Sequence, residues 1–356
     1  MKRRHIVSGS LRLLPLMITL LLSGPDALAL DANALPTGGK LTAGTGSISQ
    51  SGSKMTVTQT TGRMIADWST FNIGSSASVA FSQPGSSSVA LNRIYDQNPS
   101  LIYGSLTANG QVFLVNNAGI YFGPTAQVNV GGLVASSLNI TKENFLAGSY
   151  LFEKSGTAGA IVNQGNIRTP SGGYIAFISP AISNEGSLTA PGGTVAMAAG
   201  DRVSLDFTGD NLVNFTVDKG AVDALIENKG LISADGGAVI LTARAADSLT
   251  KAVVNNSGII EAKTMENRSG RILLLSDMES GEVIAGGTLD ASALNGGNGG
   301  FIETSAAKVT IKDGLSVSTS APSGKTGIWL IDPNDFTISA SNGDMTGAQV
   351  TAALTS

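Results

Sequence analysis

Apolar and polar positions along this chain come in short repeating blocks and not in helical stripes. Asn163-Gln164-Gly165-Asn166-Ile167 is followed by Gly172-Gly173 and the apolar run Tyr174–Ile178. Asn184-Glu185-Gly186-Ser187-Leu188 leads to Gly192-Gly193 and Thr194–Ala198. Asn228-Lys229-Gly230-Leu231-Ile232 leads to Gly236-Gly237 and Ala238–Thr242. Asn256-Ser257-Gly258-Ile259-Ile260 leads, after a longer gap, to Gly270 and Arg271–Leu275. The asparagines stand 21, 44 and 28 residues apart. The 44 reads as two units of about 22 and the 28 as one unit with an insertion.

Each unit therefore predicts a turn at Asn-x-Gly, a short strand, a Gly-Gly turn and another short strand. Asn and Gly suit turns because they tolerate positive φ. Ile, Val, Leu, Ala and Phe suit a buried pleated face. One such unit cannot bury its own apolar side, whereas a stack of them can. The pattern predicts an all-β parallel β-helix, or solenoid, of roughly 15 coils and on the order of 70 Å in length. A propeller would repeat at about twice this period, and a sandwich would not repeat.

Two segments depart from the repeat. Asp206-Phe207-Thr208-Gly209-Asp210-Asn211, followed by alternation over Val213–Val217, leaves open whether 206–226 is a coil or a projecting β-hairpin. Residues 245–254 are the best helix candidate, with Asp247 as the cap. Residues 30–60 are rich in Gly, Thr and Ser with little repeat and read as an N-terminal cap. The β-helix is expected over 61–320, and 321–356 reads as the start of a truncated downstream region.

Composition narrows the function. Among 356 residues there are 45 glycines, no cysteine and only 13% charged side chains. Disulfide frameworks, thiolate metal sites and thiol catalysis are excluded. The N-terminus is basic (Lys2, Arg3, Arg4, Arg12) and is followed by an apolar run over 13–22 and by Ala27-Leu28-Ala29. This is a secretory signal peptide over 1–29, with Ala27 and Ala29 at the small-x-small cleavage site. The run is too short for a membrane span of roughly 18 residues. Its removal takes four cations and one anion, so 22 Lys+Arg and 26 Asp+Glu become 18 and 25, a net charge of −7. That balance argues against a nucleic-acid partner. His5, the single histidine, leaves as well, and histidine chemistry with it.

A long ordered stretch then carries a family resemblance. It contains Asn92-Arg93-Ile94, Asn98-Pro99-Ser100-Leu101, the run Ala108–Pro124 with Asn116-Asn117-Ala118-Gly119-Ile120, and Gln127–Ser136. Leu35-Pro36-Thr37-Gly38-Gly39, Phe71-Asn72-Ile73 and Asp332-Pro333-Asn334-Asp335 continue it, over roughly 31–338. The stretch resembles the secretion domain of the filamentous haemagglutinin family, the exported partners of bacterial two-partner secretion systems. The resemblance implies a right-handed parallel β-helix with an N-terminal cap. It implies recognition by the periplasmic domains of an outer-membrane β-barrel transporter. It implies export through the periplasm to the surface of a Gram-negative bacterium, as part of an adhesin or haemagglutinin with a host-cell or glycan receptor.

The family's two Asn-Pro-Asn motifs map onto Asn98, Pro99 and Leu101, and onto Asn116, Asn117, Gly119 and Ile120. The second has lost its Pro and one Asn. These residues are either contacts for the transporter or ordinary tight turns. The rival functions are a self-contained surface adhesive protein and a polysaccharide-active β-helix enzyme. The enzyme would need carboxylates clustered at coil spacing. Asp201, Arg202 and Asp206 lie together on a strand and turn. Asp332 and Asp335 sit on a Pro-Asn turn, and Glu143 and Glu153 have no evident partner. No catalytic, cofactor-binding or metal residue is assigned. Gly44-Thr45-Gly46 lacks a phosphate-binding context, and Gly296-Gly297-Asn298-Gly299-Gly300 is a single copy without the Asp of a calcium repeat.

Overall fold

The computed structural model describes residues 30–207, 213–340 and 343–355. Residues 1–29, on which the expected signal peptide with Ala27 and Ala29 falls, and residues 208–212 lie outside the described residues. Each coil carries up to three short strands, and equivalent strands of successive coils pair into three long sheets. In the coil Asn166–Arg168, Tyr174–Ile178, Ala181–Asn184 these strands belong to what we call the first, second and third faces. The next coil stacks on it in register: Ile167 on Leu188, Phe177 on Met197, Ile182 on Ile226. The fold is a parallel β-helix.

The first and second faces have eleven strands each and the third has eight. The stack opens antiparallel, with Gly46–Ser51 against Lys54–Gln59 and Lys40–Ala43 against Arg63–Trp68. Parallel pairing begins at Lys54–Gln59 on Ser78–Ser82 and runs to Ile328–Pro333 on Phe301–Ala306. Alternate side chains point inward. Like therefore stacks on like: Val128, Ile167, Leu188, Ile232, Ile260 and Leu289 form one buried column inside the first face. Ile120, Ile161, Ile182, Ile226, Val254, Val283 and Val309 form another inside the third.

The expectation of about 15 coils is corrected to ten parallel rungs on the first face, about 45 Å at ~4.8 Å per rung. Two excursions that leave the rod between the second and third faces, together with the residues before the first parallel rung and after the last, account for the difference. The first carries the helix Lys142–Ala147 and the strand Tyr150–Glu153. The second is a hairpin, Arg202–Asp206 against Asn214–Lys219, which pairs with Tyr150–Glu153 as a three-stranded antiparallel sheet. The segment left open as coil or hairpin is thus a hairpin. The interval of 44 residues is not two coils, because Asn184 and Asn228 are direct neighbours in the ladder.

The excursions cover the outer side of the second face. Leu91, Phe113, Val134 and Ala176 from that side pack with Phe145, Phe152, Val203 and Leu205. A sheet buried on both sides reads as a continuous apolar run, and Thr194–Ala199 is buried at every position. The helix starts at Thr141, whose hydroxyl accepts the Asn144 amide (3.1 Å), and stops at left-handed Gly148 (φ 77°).

The helix expected over 245–254 is absent. Ala252–Asn256 is a strand of the third face, held between Ala224–Asn228 and Gly281–Ala285. Two ladders and the burial of Ala252 and Val254 outweigh a weak local propensity. Asp247 still caps a turn, its Oδ1 accepting the amides of Leu249 (2.9 Å) and Thr250 (3.0 Å). A second helix, Gly347–Thr355, follows the last rung.

The repeated asparagines do a different job from the one their turns suggest. Among the described residues only Asp223 and Glu266 are non-glycine residues at positive φ. Asn163, Asn184, Asn228 and Asn256 are fully buried at the ends of third-face strands or their equivalents. Each Nδ2 donates to the next residue's Oδ1: Asn163 to Asn184 (2.8 Å), Asn184 to Asn228 (2.8 Å), Asn228 to Asn256 (2.7 Å). Asn256 ends the row on the Gly286 carbonyl (2.6 Å). Glycines stack beside them for closeness and not for positive φ. A Cβ on Gly186, Gly230 or Gly258 would overlap the carbonyl oxygen of the glycine one rung below. Gly173, Gly193 and Gly237 form a second such column before the second-face strands.

Asn184→Ala strands the buried amide of Asn163 and an acceptor of Asn228. At about 1–3 kcal/mol per orphaned group, equilibrium denaturation should show a loss on the order of 2–4 kcal/mol. Gly193→Ala should lower the melting temperature, whereas Gly62→Ala, which points into open space, should leave it within about 1–2 °C, the effect of a few tenths of a kcal/mol.

Candidate functional site

Asn98 and Asn116 end up on one corner of the rod, where the second face turns into the third. The strand Val89–Ile94 runs into the turn at 95–99 and then into Ser100–Ile102. One rung on, Gln111–Asn116 runs through 117–119 into Ile120–Phe122. The two corners stack, with Ser100 on Ile120, Leu101 on Tyr121 and Ile102 on Phe122.

In the first turn Asp96 Oδ1 accepts the Asn98 backbone amide (2.9 Å) and its side-chain Nδ2 (3.2 Å). Asn98 itself is exposed. Pro99 forces the preceding residue into extended backbone and opens the strand. Leu101 donates its amide to Asn72 Oδ1 (2.8 Å) and accepts the Ile73 amide (2.9 Å). The Phe71-Asn72-Ile73 segment thereby anchors the motif from the rung below.

Asn116 is fully buried. Its Oδ1 accepts the Ala118 amide (2.9 Å), which closes the second turn. Its Nδ2 donates to the Asn98 carbonyl (3.1 Å) and Ser100 Oγ (3.0 Å). A single amide thus ties the two motif turns together. Gly119 sits at φ 109°, where a Cβ would also strike the Ala160 carbonyl. Ile120 points into the core. Asn117 is half-buried and donates to the Ser155 carbonyl (3.3 Å). The motif residues therefore divide. Asn116, Gly119 and Ile120 are interior, while Asn98, Pro99, Leu101 and Asn117 reach the surface.

A cleft of about 510 Å³ lies beside the corner, lined by Arg93, Tyr95, Asp96, Gln97 and Asn117 and by the loop at 155–157. Arg93 grips Asp67 with two bonds (2.7 and 2.9 Å). Burial works to lower its pKa most strongly, but the bond to Asp67 and the Asp67 charge outweigh it and raise the value. Tyr95 is 61% exposed. Nothing in the alternation marks it, because Ile94 before it is equally apolar and points inward.

The candidate acids serve the scaffold. Glu153, which has no partner evident in sequence, pairs with Arg202 across the excursion strands, and Lys154 pairs with Asp201 (3.2 Å). Asp332 lies in a strand paired with Phe301–Ala306 and not on a turn. Glu143 stands in the first turn of the short helix. In the glycine cluster Asn298 holds neighbouring loops, its Oδ1 accepting the Lys325 amide (2.9 Å). Among the described residues no group of three His, Cys, Asp or Glu side chains could hold a metal ion. No helix among them is long and apolar enough to cross a membrane.

Comparison with known proteins agrees with this geometry. The family model of the TPS secretion domain matches residues 32–291. The chain belongs to that family: it is the secretion domain of a two-partner secretion exoprotein. A heme/hemopexin-binding protein of Haemophilus influenzae is 30% identical over 253 residues, which cover 69% of this chain and 28% of that protein. A second heme/hemopexin-binding protein of that species is 28% identical over 248 residues, covering 63% and 26%. The chain thus spans little more than a quarter of the curated relatives it matches. The crystal structure of the HMW1 secretion domain from Haemophilus influenzae superposes with a TM-score of 0.63 at 25% identity, covering 80% of this chain and 84% of that one. Exoproteins of this family are exported through the periplasm to the cell surface or beyond, and the domain implies an outer-membrane transporter as partner.

Asn116→Ala removes the tie between the turns and leaves Ser100 and Asn98 without their donor. It should lower stability by about 1–3 kcal/mol and broaden amide exchange at 98–100 and 116–119. Asn117→Ala, half-exposed, should cost well under about 1 kcal/mol. Equal losses in a denaturant titration would show that burial does not separate the two.

Proposed function

We propose that this corner is where the transporter's periplasmic domains recognise the exoprotein. Asn98, Pro99, Leu101 and Asn117 are the contacts, and Asn116, Gly119 and Ile120 set their shape. One observation carries the reading: the Asn116 amide joins two motifs separated in sequence into a single surface feature. A turn serving the rod alone would not need its outer residues fixed by Asp96 and Asn72 as well.

The larger exoprotein is an adhesin or haemagglutinin whose receptor, a host-cell protein or glycan, binds outside this segment. The relatives' names favour a second reading of that larger protein, as a binder of heme or hemopexin. The secretion segment itself has no catalytic role. Glu153 and Asp201 are held in ion pairs, Asp96 caps a turn, and the carboxylates that stack in register, Glu261 on Asp290, are bridged by Lys263.

Export should be measured with and without the cognate transporter. Mature chain should reach the medium only when the transporter is present. An Asn98→Ala/Asn117→Ala double variant should fold normally and lose most of its export. Full export of that variant would exclude the corner as the contact.

A further inference from the structure

A second cleft, of about 740 Å³, opens where the early rungs of the second face meet both excursions. It is lined by Arg63, Ser87 and Gln111 from the rod, Tyr150 from the first excursion, and Asp206 and Phe207 from the hairpin. Phe207 meets Tyr150 (5.2 Å) and Tyr174 (4.9 Å) edge to face, yet 38% of it stays exposed. Tyr174 donates its hydroxyl to Gln111 Oε1 (2.7 Å). Burial, with a smaller contribution from neighbouring Tyr150, holds the Tyr174 pKa well above that of a free tyrosine, so it stays a donor. With Oε1 taken, Gln111 Nε2 has no acceptor among the described residues. The Tyr150 ring is only 9% exposed, and its hydroxyl has no hydrogen-bond partner among the described residues. That oxygen is not sealed in the interior and faces the cleft. Arg63 donates one N–H to the Leu146 carbonyl (3.3 Å), and its guanidinium lies over Gly148, where a Cβ would come within 2.7 Å of Nη2. It forms no ion pair among the described residues, so its remaining N–H groups are free.

We propose that this cleft binds an acidic saccharide: a pyranose that carries a carboxylate, as one unit of a longer glycan. The site is independent of the transporter contact proposed above and separate from the receptor site of the larger exoprotein. A guanidinium edge with free N–H groups matches a carboxylate bidentately. Gln111 Nε2 donates to ring hydroxyls, the Tyr150 and Ser87 hydroxyls donate or accept, and Asp206 accepts. The open part of Phe207 takes the apolar C–H side of the sugar ring. A polar atom on a nine-tenths buried ring ordinarily finds a partner. The Tyr150 hydroxyl finds none in the protein, so its partner comes from the cleft. A lone cation suits a single carboxylate, whereas a doubly charged phosphate would meet Asp206 with no second cation to offset it. The volume falls within the about 300–1,000 Å³ of small-ligand sites. Acidic saccharides of this kind stand both on host cells and in the bacterial envelope, and both are within reach of a chain exported to the cell surface.

The test is calorimetry and ligand-observed NMR on the purified folded chain. The probes are sialyllactose and a hyaluronan tetrasaccharide for the host source, and a lipooligosaccharide core bearing ketodeoxyoctonate for the envelope source. Neutral lactose is the comparison. An acidic probe should bind about tenfold or more tightly than lactose, and the tightest one identifies the source. Arg63→Gln should weaken that probe about tenfold and remove its advantage over lactose. Tyr150→Phe keeps the ring and deletes the partnerless hydroxyl. It should weaken binding about threefold or more and leave the melting temperature within about 2 °C, because no protein partner is lost. Tyr103→Phe, on the third face and away from the cleft, should bind as the wild type does. No binding of any acidic probe, equal binding of lactose, or wild-type binding by Arg63→Gln and Tyr150→Phe overturns the inference. If Arg63→Gln fails to fold, Tyr150→Phe decides.

Discussion

Stacked rungs stand about 4.8 Å apart, and that spacing governs everything else in the rod. At each corner the backbone of one coil rests on the backbone of the coil below, with no room for a side chain between them. Glycine columns follow directly: Gly186, Gly230 and Gly258 each lie against the carbonyl of the glycine beneath. The same spacing brings identical side chains to hydrogen-bonding distance. A buried primary amide has both a donor and an acceptor, so asparagine can satisfy itself with copies of itself. The row from Asn163 to Asn256 does so, and apolar residues make the equivalent columns of Ile and Val inside.

The spacing also explains where the fold tolerates additions. Residues inserted within a rung would shift every later contact. Residues inserted between the second and third faces loop outward and return to the same register. The 44 residues from Asn184 to Asn228 return to a direct ladder pair. Having left the rod, the excursions cover the outer side of the second face and build a second core around Phe113, Phe145 and Phe152. The second face is thereby packed on both sides, its inward residues in the rod's core and its outward ones in the second core.

The corner that carries Asn98 and Asn116 uses the ladder's logic off the ladder's main row. Asn116 closes its own turn with Oδ1 and reaches the neighbouring rung with Nδ2, as the ladder asparagines do. Its partners are a backbone carbonyl and a serine hydroxyl, not another amide. Gly119, at φ 109°, makes the turn at the second motif. Shape at this corner is thus maintained by buried groups, and chemistry is offered by their exposed neighbours.

The family, the all-β repeat and the place of the motifs were legible in the sequence, because a stacked coil repeats its own pattern of turn, strand and apolar position. What was not legible depends on contacts between residues far apart in the chain. The 44-residue interval could be read as two coils until the pairing of Asn184 with Asn228 made it one coil and a hairpin. Residues 245–254 carry helix-like local preferences, and only the two flanking ladders make Ala252–Asn256 a strand. Glu153 and Arg202 are 49 residues apart and meet only across the excursion sheet. Asn98 and Asn116 look alike as letters, yet one is exposed and the other fully buried. Local pattern determines that a residue sits at a turn; the rung above and the rung below decide whether its side chain faces solvent or another strand.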